Sequence, residues 1–289
     1  MYTYKRKNLP KQTLEILISI PQKDIDAEYK SAFKELQKDL TVEGFRKGKV
    51  PADVAEKNLA KDTIYDKMIR NYMPKVYAEI VEKEKLRPII SPRVELVKAK
   101  ENEDWEIKIT TAESPKVELG KYKEQVKKAK KDAEKGDIWV PGKDKEPTEA
   151  DKEKQKQAVF QASLDALMKV AKVEISDLII DEEMQKRLAQ LVDQMQKVGI
   201  TMDSYLESKS MTKDQLQDQI RKEIEDSYKI EFILQEIADS EEIKVEQAEL
   251  DKLFDNVKTD EEKKAIQQNA YYYAALLRKQ KTLDYINSL

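Results

Sequence analysis

From Ala158 to Leu289 the apolar residues recur at intervals of three and four and never settle into alternation. That spacing lines up one face of an α-helix, and this half reads as helical throughout. Phe160, Leu164, Leu167, Met168 and Ala171 share one stripe. Met184, Leu188, Leu191, Val192, Met195 and Val198 form another, with Gly199 as its C-cap residue. Leu216, Ile220, Ile224 and Tyr228 lead into a dense run, Ile230, Phe232, Ile233, Leu234 and Ile237, expected to be buried on several sides. Thr212 with Gln215, and Thr259 with Glu262, have capping-box spacing. The second box precedes Ile266, Ala270, Tyr273, Leu277, Leu283 and Ile286. No unit of 20–50 residues repeats, which argues against a regular solenoid.

The first half reads differently. Leu14, Ile16, Ile18 and Ile20 alternate with other residues, the mark of a half-buried strand, and Pro21 ends it. Ile25, Tyr29, Ala32, Phe33, Leu36 and Leu40 return to helical spacing. A second helical region carries Ile64, Met68, Tyr72, Val76 and Ile80, and Pro74 inside it should kink or restart the helix. Pro88 and Pro92 close that region. Val94 and Leu96, then Trp105, Ile107 and Ile109, alternate around a turn at Asn102. Strand, helix, loop, helix, strand, strand describes an α+β layer with helices on one face of a small antiparallel sheet.

Charged residues make up 38% of the 289 residues, against about 25% in an average globular chain. With 39% hydrophobic residues, thin cores and an elongated helical second half are expected. Residues 123–156 are rich in Lys, Glu and Asp, with Gly136, Pro141, Gly142 and Pro147. This composition reads as a charged linker or extended connection. Ile138, Trp139 and Val140 interrupt it as a spot pinned onto a neighbouring domain. The expected division is therefore an α+β domain over 1–122, a linker over 123–156 and a helical domain over 157–289.

The chain has no Cys and no His. Disulfides and Ser–His or Cys–His catalysis are excluded, and zinc or haem sites are not expected. No phosphate-cradling glycine loop is present among 6 Gly, so no nucleotide cofactor is expected. The carboxylates stand at i,i+4 spacing from Lys and read as surface pairs. The start lacks the apolar run of a signal peptide, and no stretch approaches the ~20 apolar residues of a membrane span. A cytoplasmic, non-enzymatic protein without metal or cofactor is expected. Residues 1–120 hold 24 Lys+Arg against 21 Asp+Glu, and the remainder 30 against 36. The first part is too mildly basic for a general nucleic-acid binder, yet it allows one local basic tip.

That tip is Gly44-Phe45-Arg46-Lys47-Gly48-Lys49-Val50-Pro51, between the two helical patterns. Gly44 and Gly48 accept φ > 0, and Pro51 suits the first turn of the next helix. Three cations and one aromatic on a rigid tip suit an anionic surface. Residue chemistry alone favours a solvated connection with ordinary turn glycines. The eight residues resemble the ribosome-docking signature of the trigger factor family, bacterial chaperones stationed at the nascent-chain exit. The resemblance implies that Phe45, Arg46 and Lys47, within the loop Gly44–Lys49, contact a ribosomal protein and ribosomal RNA. Residues 113–122 resemble the end of that family's N-terminal domain. A prolyl isomerase domain of the FK506-binding type usually follows, and here there is no room for it. Residues 173–206 and 212–243 resemble, in pattern, the family's C-terminal domain, which supplies the body and arms of a cradle.

The resemblance implies an ATP-independent chaperone that shields apolar segments of nascent or unfolded chains without isomerase activity. Five of eight Met residues lie in the C-terminal helices, and Met suits promiscuous surfaces. Met184 and Met195 share a stripe with leucines and read as core. Met202 and Met211, near helix ends, are candidates for client contact. Tyr271, Tyr272 and Tyr273 cannot all face one way, so at least one is exposed, as a client contact, an interface or an ordinary surface Tyr. Tyr271 and Tyr272 join the candidate list. Two other readings remain: a ribosome-recruited adaptor for a folded partner, and a holdase acting off the ribosome as a homodimer.

Overall fold

Leu14, Ile16, Ile18 and Ile20 all face one side of strand β2 (Thr13–Ile20) and are buried. Antiparallel to it runs β4 (Trp105–Ala112), whose Trp105, Ile107 and Ile109 stand opposite Ile20, Ile18 and Ile16. The alternation in the sequence is thus the two-residue period of a sheet with one face in a core. Strands β1 (Thr3–Leu9) and β3 (Arg93–Lys98) complete an antiparallel sheet of order β1-β2-β4-β3. Helices α1 (Gln22–Asp39) and α3 (Lys61–Glu84) supply Ile25, Ala32, Ile64, Met68, Met73, Val76 and Ile80 to that core. A short helix, α2 (Ala52–Asn58), stands between them. Tyr65 bridges Tyr29 and Trp105, with ring centroids 4.8 and 5.0 Å away.

The computed structural model describes residues 1–135, 148–255 and 269–289. The chain parts into two units between Ser114 and Pro115. The second unit begins with β5 (Val117–Glu118), paired antiparallel to β6 (Lys172–Val173). Between those strands lie α4 (Tyr122–Lys135) and α5 (Glu149–Val170). Then come α6 (Asp177–Lys197), α7 (Met202–Ser208), α8 (Lys213–Ser240), α9 (Gln247–Asp255) and α10 (Ala270–Ser288). Val126, Leu167, Ile224, Ile237 and Ile286 are fully buried.

Three sequence expectations change. The charged stretch after Lys123 begins as a packed helix, because Tyr122, Val126, Ala129 and Ala133 fall at helical spacing among the lysines and turn inward. Lys130 Nζ donates to the carbonyls of Ile286 and Asn287, 2.8 and 2.7 Å away, and so caps the last turn of α10. The helical expectation for the second half misses the β5–β6 pair, which is only two residues long on each side. The helix across Pro74 neither stops nor restarts. β1 was not foreseen either: it is a charged edge strand, with Tyr4 in it and Tyr2 just before it packed against the core. Ile138, Trp139, Val140 and the Thr259–Glu262 box lie outside the described residues.

The helix ends follow local chemistry. Thr212 and Gln215 form the expected capping box. Gly199, at φ 71°, closes α6 in a Schellman motif, with Ile200 N donating to Met195 O at 3.0 Å and Gly199 N to Gln196 O at 3.2 Å.

Candidate functional site

Helix α1 ends at Asp39 and α2 starts at Ala52, with Pro51 as N-cap one position outside the helix. The intervening loop is built from two consecutive tight turns. Phe45 N donates to Val42 O at 3.0 Å, and Lys49 N donates to Arg46 O at 2.9 Å. Gly44 and Gly48 hold the third position of these turns at φ 87° and 78°. A type II turn demands φ > 0 there, so the glycines are required by the backbone. Gln37 Nε2 donates to Val50 O at 2.7 Å, and buried Val50 anchors the return of the loop. Between these fixed points Phe45, Arg46, Lys47 and Lys49 all face solvent. Lys47 reaches back to Asp39 at 3.1 Å. That pair is exposed and contributes at most about 1 kcal/mol. Arg46 and Lys49 make no ion pair among the described residues. The geometry fixes the backbone and leaves one aromatic and two cations available.

The second unit exposes apolar side chains in two places. Val192, Val198 and Ile200 surround the C-terminal end of α6, and Tyr271, Tyr272 and Leu276 lie on the N-terminal half of α10. A carboxylate tie joins three helices of this unit. Glu241, at the end of α8, accepts from Tyr122 (2.7 Å), Lys123 (2.7 Å) and Tyr285 (2.8 Å). The hydrogen bond from Lys123, followed by those from Tyr122 and Tyr285, holds the Glu241 carboxyl down to about 2. Burial, then the bond to Glu241, pushes the Tyr122 hydroxyl up. One side chain therefore joins α4, α8 and α10. Among the described residues no group of three or more acidic side chains could hold a metal ion.

Residues 2–139 match the family model described as bacterial trigger factor protein, and residues 144–287 match that of its C-terminus. The chain belongs to the trigger factor family. The two matches leave residues 140–143 between them, too few for a further domain. Trigger factor of Streptococcus mutans serotype c is 32% identical over 108 residues, 37% of this chain and 25% of that protein. Trigger factor of Staphylococcus carnosus is 30% identical over 106 residues, 37% of this chain and 24% of that protein. The alignments thus span about a quarter of the length of these curated relatives. A solved structure reported under "Promiscuous Substrate Recognition in Folding and Assembly Activities of the Trigger Factor Chaperone" superposes with a TM-score of 0.64 at 13% identity. It covers 98% of this chain and 99% of that one, and establishes the shared fold.

Within this trigger factor fold the loop residues Gly44 to Lys49 stand together on one exposed tip, as their sequence suggested. The residues proposed for client contact divide. Tyr271 and Tyr272 are 90% and 64% exposed. Met202 and Met211 are only half-buried. Met202 opens α7 behind its Thr201 cap, and Met211 follows the closing turn of the same helix, its N–H on Leu206 O at 3.0 Å. Met195 is buried as expected for core. Val198, placed on the core stripe by spacing, is 68% exposed, because the stripe ends where Gly199 reverses the chain. Ile200 and Leu276 were missed. Ile200 flanks the capping glycine, and Leu276 sits one residue, about 100°, from the inward Leu277. No helix among the described residues is long and apolar enough to cross a membrane.

Proposed function

We propose that this chain is a ribosome-associated, ATP-independent chaperone of the cytoplasm that shields apolar segments of nascent or unfolded polypeptides and lacks prolyl isomerase activity. The observation that carries the reading is the double glycine turn. It holds Phe45, Arg46 and Lys49 outward on a fixed backbone while Lys47 is only loosely paired. Such a tip suits a surface that offers phosphates and one apolar notch. Arg46 can fork onto phosphate oxygens, the lysines add point charge, and Phe45 fills the notch. Client holding belongs to the second unit, whose exposed Val198, Ile200, Tyr271, Tyr272 and Leu276 sit among charges. At about 25 cal/mol per Å², a few such side chains give weak binding in fast exchange. Weak binding permits release without ATP. The isomerase is left out because the matched N- and C-terminal regions adjoin.

The test is co-sedimentation of the full chain with ribosomes. Wild-type protein should pellet with them, and the Phe45→Ala, Arg46→Ala, Lys47→Ala triple variant should stay in the supernatant at unchanged thermal stability. Equal pelleting of both would remove the loop from the docking role. A peptide assay for Xaa-Pro isomerisation should show no rate above background.

A further inference from the structure

The four-stranded sheet has two edges, both with charged residues, and they differ in the apolar side chains they expose. β1 carries Lys5, Arg6 and Lys7 in its middle, and Tyr4 and Arg6 are tied to Glu84 of α3. Charged edges of this kind discourage a further strand. β3 carries Val94, Leu96 and Val97, which are 39%, 50% and 55% exposed. Val94 and Leu96 stand opposite Ile109 and Ile107 of β4, so they continue the core face of the sheet past its last covered strand. Val97 is the extra residue of a bulge between Leu96 and Lys98. Exposed Ile89 lies along the same side of β4, its N–H on Ala112 O at 3.0 Å. The charges of this edge are engaged with one another: Arg93 and Lys108 share Glu95, and Lys98 pairs with Glu103.

We propose that the outer edge of β3 takes an extended, apolar stretch of unfolded polypeptide as an added strand. The inference rests on the reading of the chain as a holder of unfolded clients, and it gives that reading a second kind of site. The backbone of an edge strand accepts only another strand, and alternate apolar residues on that strand would cover Val94 and Leu96. Self-paired edge charges ask for no charge on the occupant. A second copy of the chain is disfavoured by area. Six residues at about 3.3 Å each, in a sheet layer about 10 Å thick, cover on the order of 200 Å². A stable dimer needs about 800 Å² per partner.

Amide hydrogen exchange on the full chain, with and without reduced carboxymethylated α-lactalbumin, tests this. That client cannot fold and offers extended segments. At saturating client, exchange at residues 93–98 should slow by about tenfold, while residues 3–9 on the charged edge stay unchanged. Leu96→Lys should weaken client affinity by about fivefold, the upper end of a cross-strand pair. Val97→Lys, on the exposed bulge, serves as a second variant should Leu96→Lys disturb the sheet. Thermal midpoint and ribosome co-sedimentation should be unaffected in both. Client binding without any change at 93–98 would overturn the edge site and leave the chaperone reading standing. Failure of the client to bind anywhere would overturn both. Protection at 93–98 that rises with protein concentration in the absence of client would replace the client with a second copy.

Discussion

The loop between α1 and α2 and the helical surface of the second unit both expose apolar side chains, yet they hold them differently. Phe45 sits on a backbone pinned by two glycine turns, a Gln37 hydrogen bond and the Val50 anchor. Val198, Ile200, Tyr271, Tyr272 and Leu276 are spread over the end of α6 and the start of α10. One arrangement offers a single apolar group in a fixed frame of cations. The other offers several without a shared frame. The first suits one partner met in one orientation, and the second suits many partners met loosely. Exposure alone does not separate the two roles. The backbone beneath does.

The largest effect that would sharpen this contrast is in the second unit's core. Val126→Asp places an unpaired carboxylate at a fully buried position of α4, and should cost about 3–5 kcal/mol. Calorimetry should show the second unit melting early while ribosome docking persists at lower temperature. For the same reason a fragment from residue 115 should fold, and one from residue 151, which lacks α4, should not.

Next is the tie at Glu241. Glu241→Gln should destabilise the same unit by about 2 kcal/mol. The sign of its pH dependence follows from the lowered carboxyl. The folded group titrates at about 2 instead of the ordinary 4.5, so its contribution is complete above 4.5 and is lost as pH falls toward 2. Denaturant melts of wild type should lose stability through that window, and the Gln variant should lack this component.

A smaller effect is expected at the loop. Gly44→Val and Gly48→Val force a branched residue to φ 87° and 78°, at about 1–2 kcal/mol each. Because the loop is exposed, the melting point should fall little while ribosome affinity drops through misplacement of Phe45 and Arg46. Unchanged affinity in both would show that the frame is dispensable and that charge alone docks.

The difference between the two regions also explains what could be read from the sequence. The loop is a contiguous stretch whose glycines announce the turns, so Gly44 to Lys49 are legible as one exposed loop. The sheet core was legible in the alternation around Ile16 and Ile107. The exposed helical surface was not, because it depends on where stripes stop. Val198 falls on the core period and is exposed, while Met202 and Met211 fall at helix ends and are half-buried. α4 was hidden by its lysines: Tyr122, Val126, Ala129 and Ala133 carry the period, but two of the four are alanines and weigh little in a charged stretch. β1 was obscured because an edge strand with one solvated side needs little apolar sequence.

The smallest expected change is at the helical surface itself. Replacing Val198, Ile200, Tyr271 and Leu276 by Ser should weaken holding of unfolded clients by about two- to fivefold in all, with little dependence on salt.

The central claim is that docking and holding are separable because one sits on a single framed tip and the other is spread over the ends of two helices. A crossed measurement tests it most directly: ribosome co-sedimentation and light-scattering suppression of client aggregation, for the Phe45, Arg46, Lys47 triple variant and the four-serine variant. The account predicts that the triple variant loses the pellet and keeps the suppression, while the serine variant keeps the pellet and needs about two- to fivefold more protein for the same suppression. Loss of both activities in either variant, at unchanged melting temperature, would contradict it.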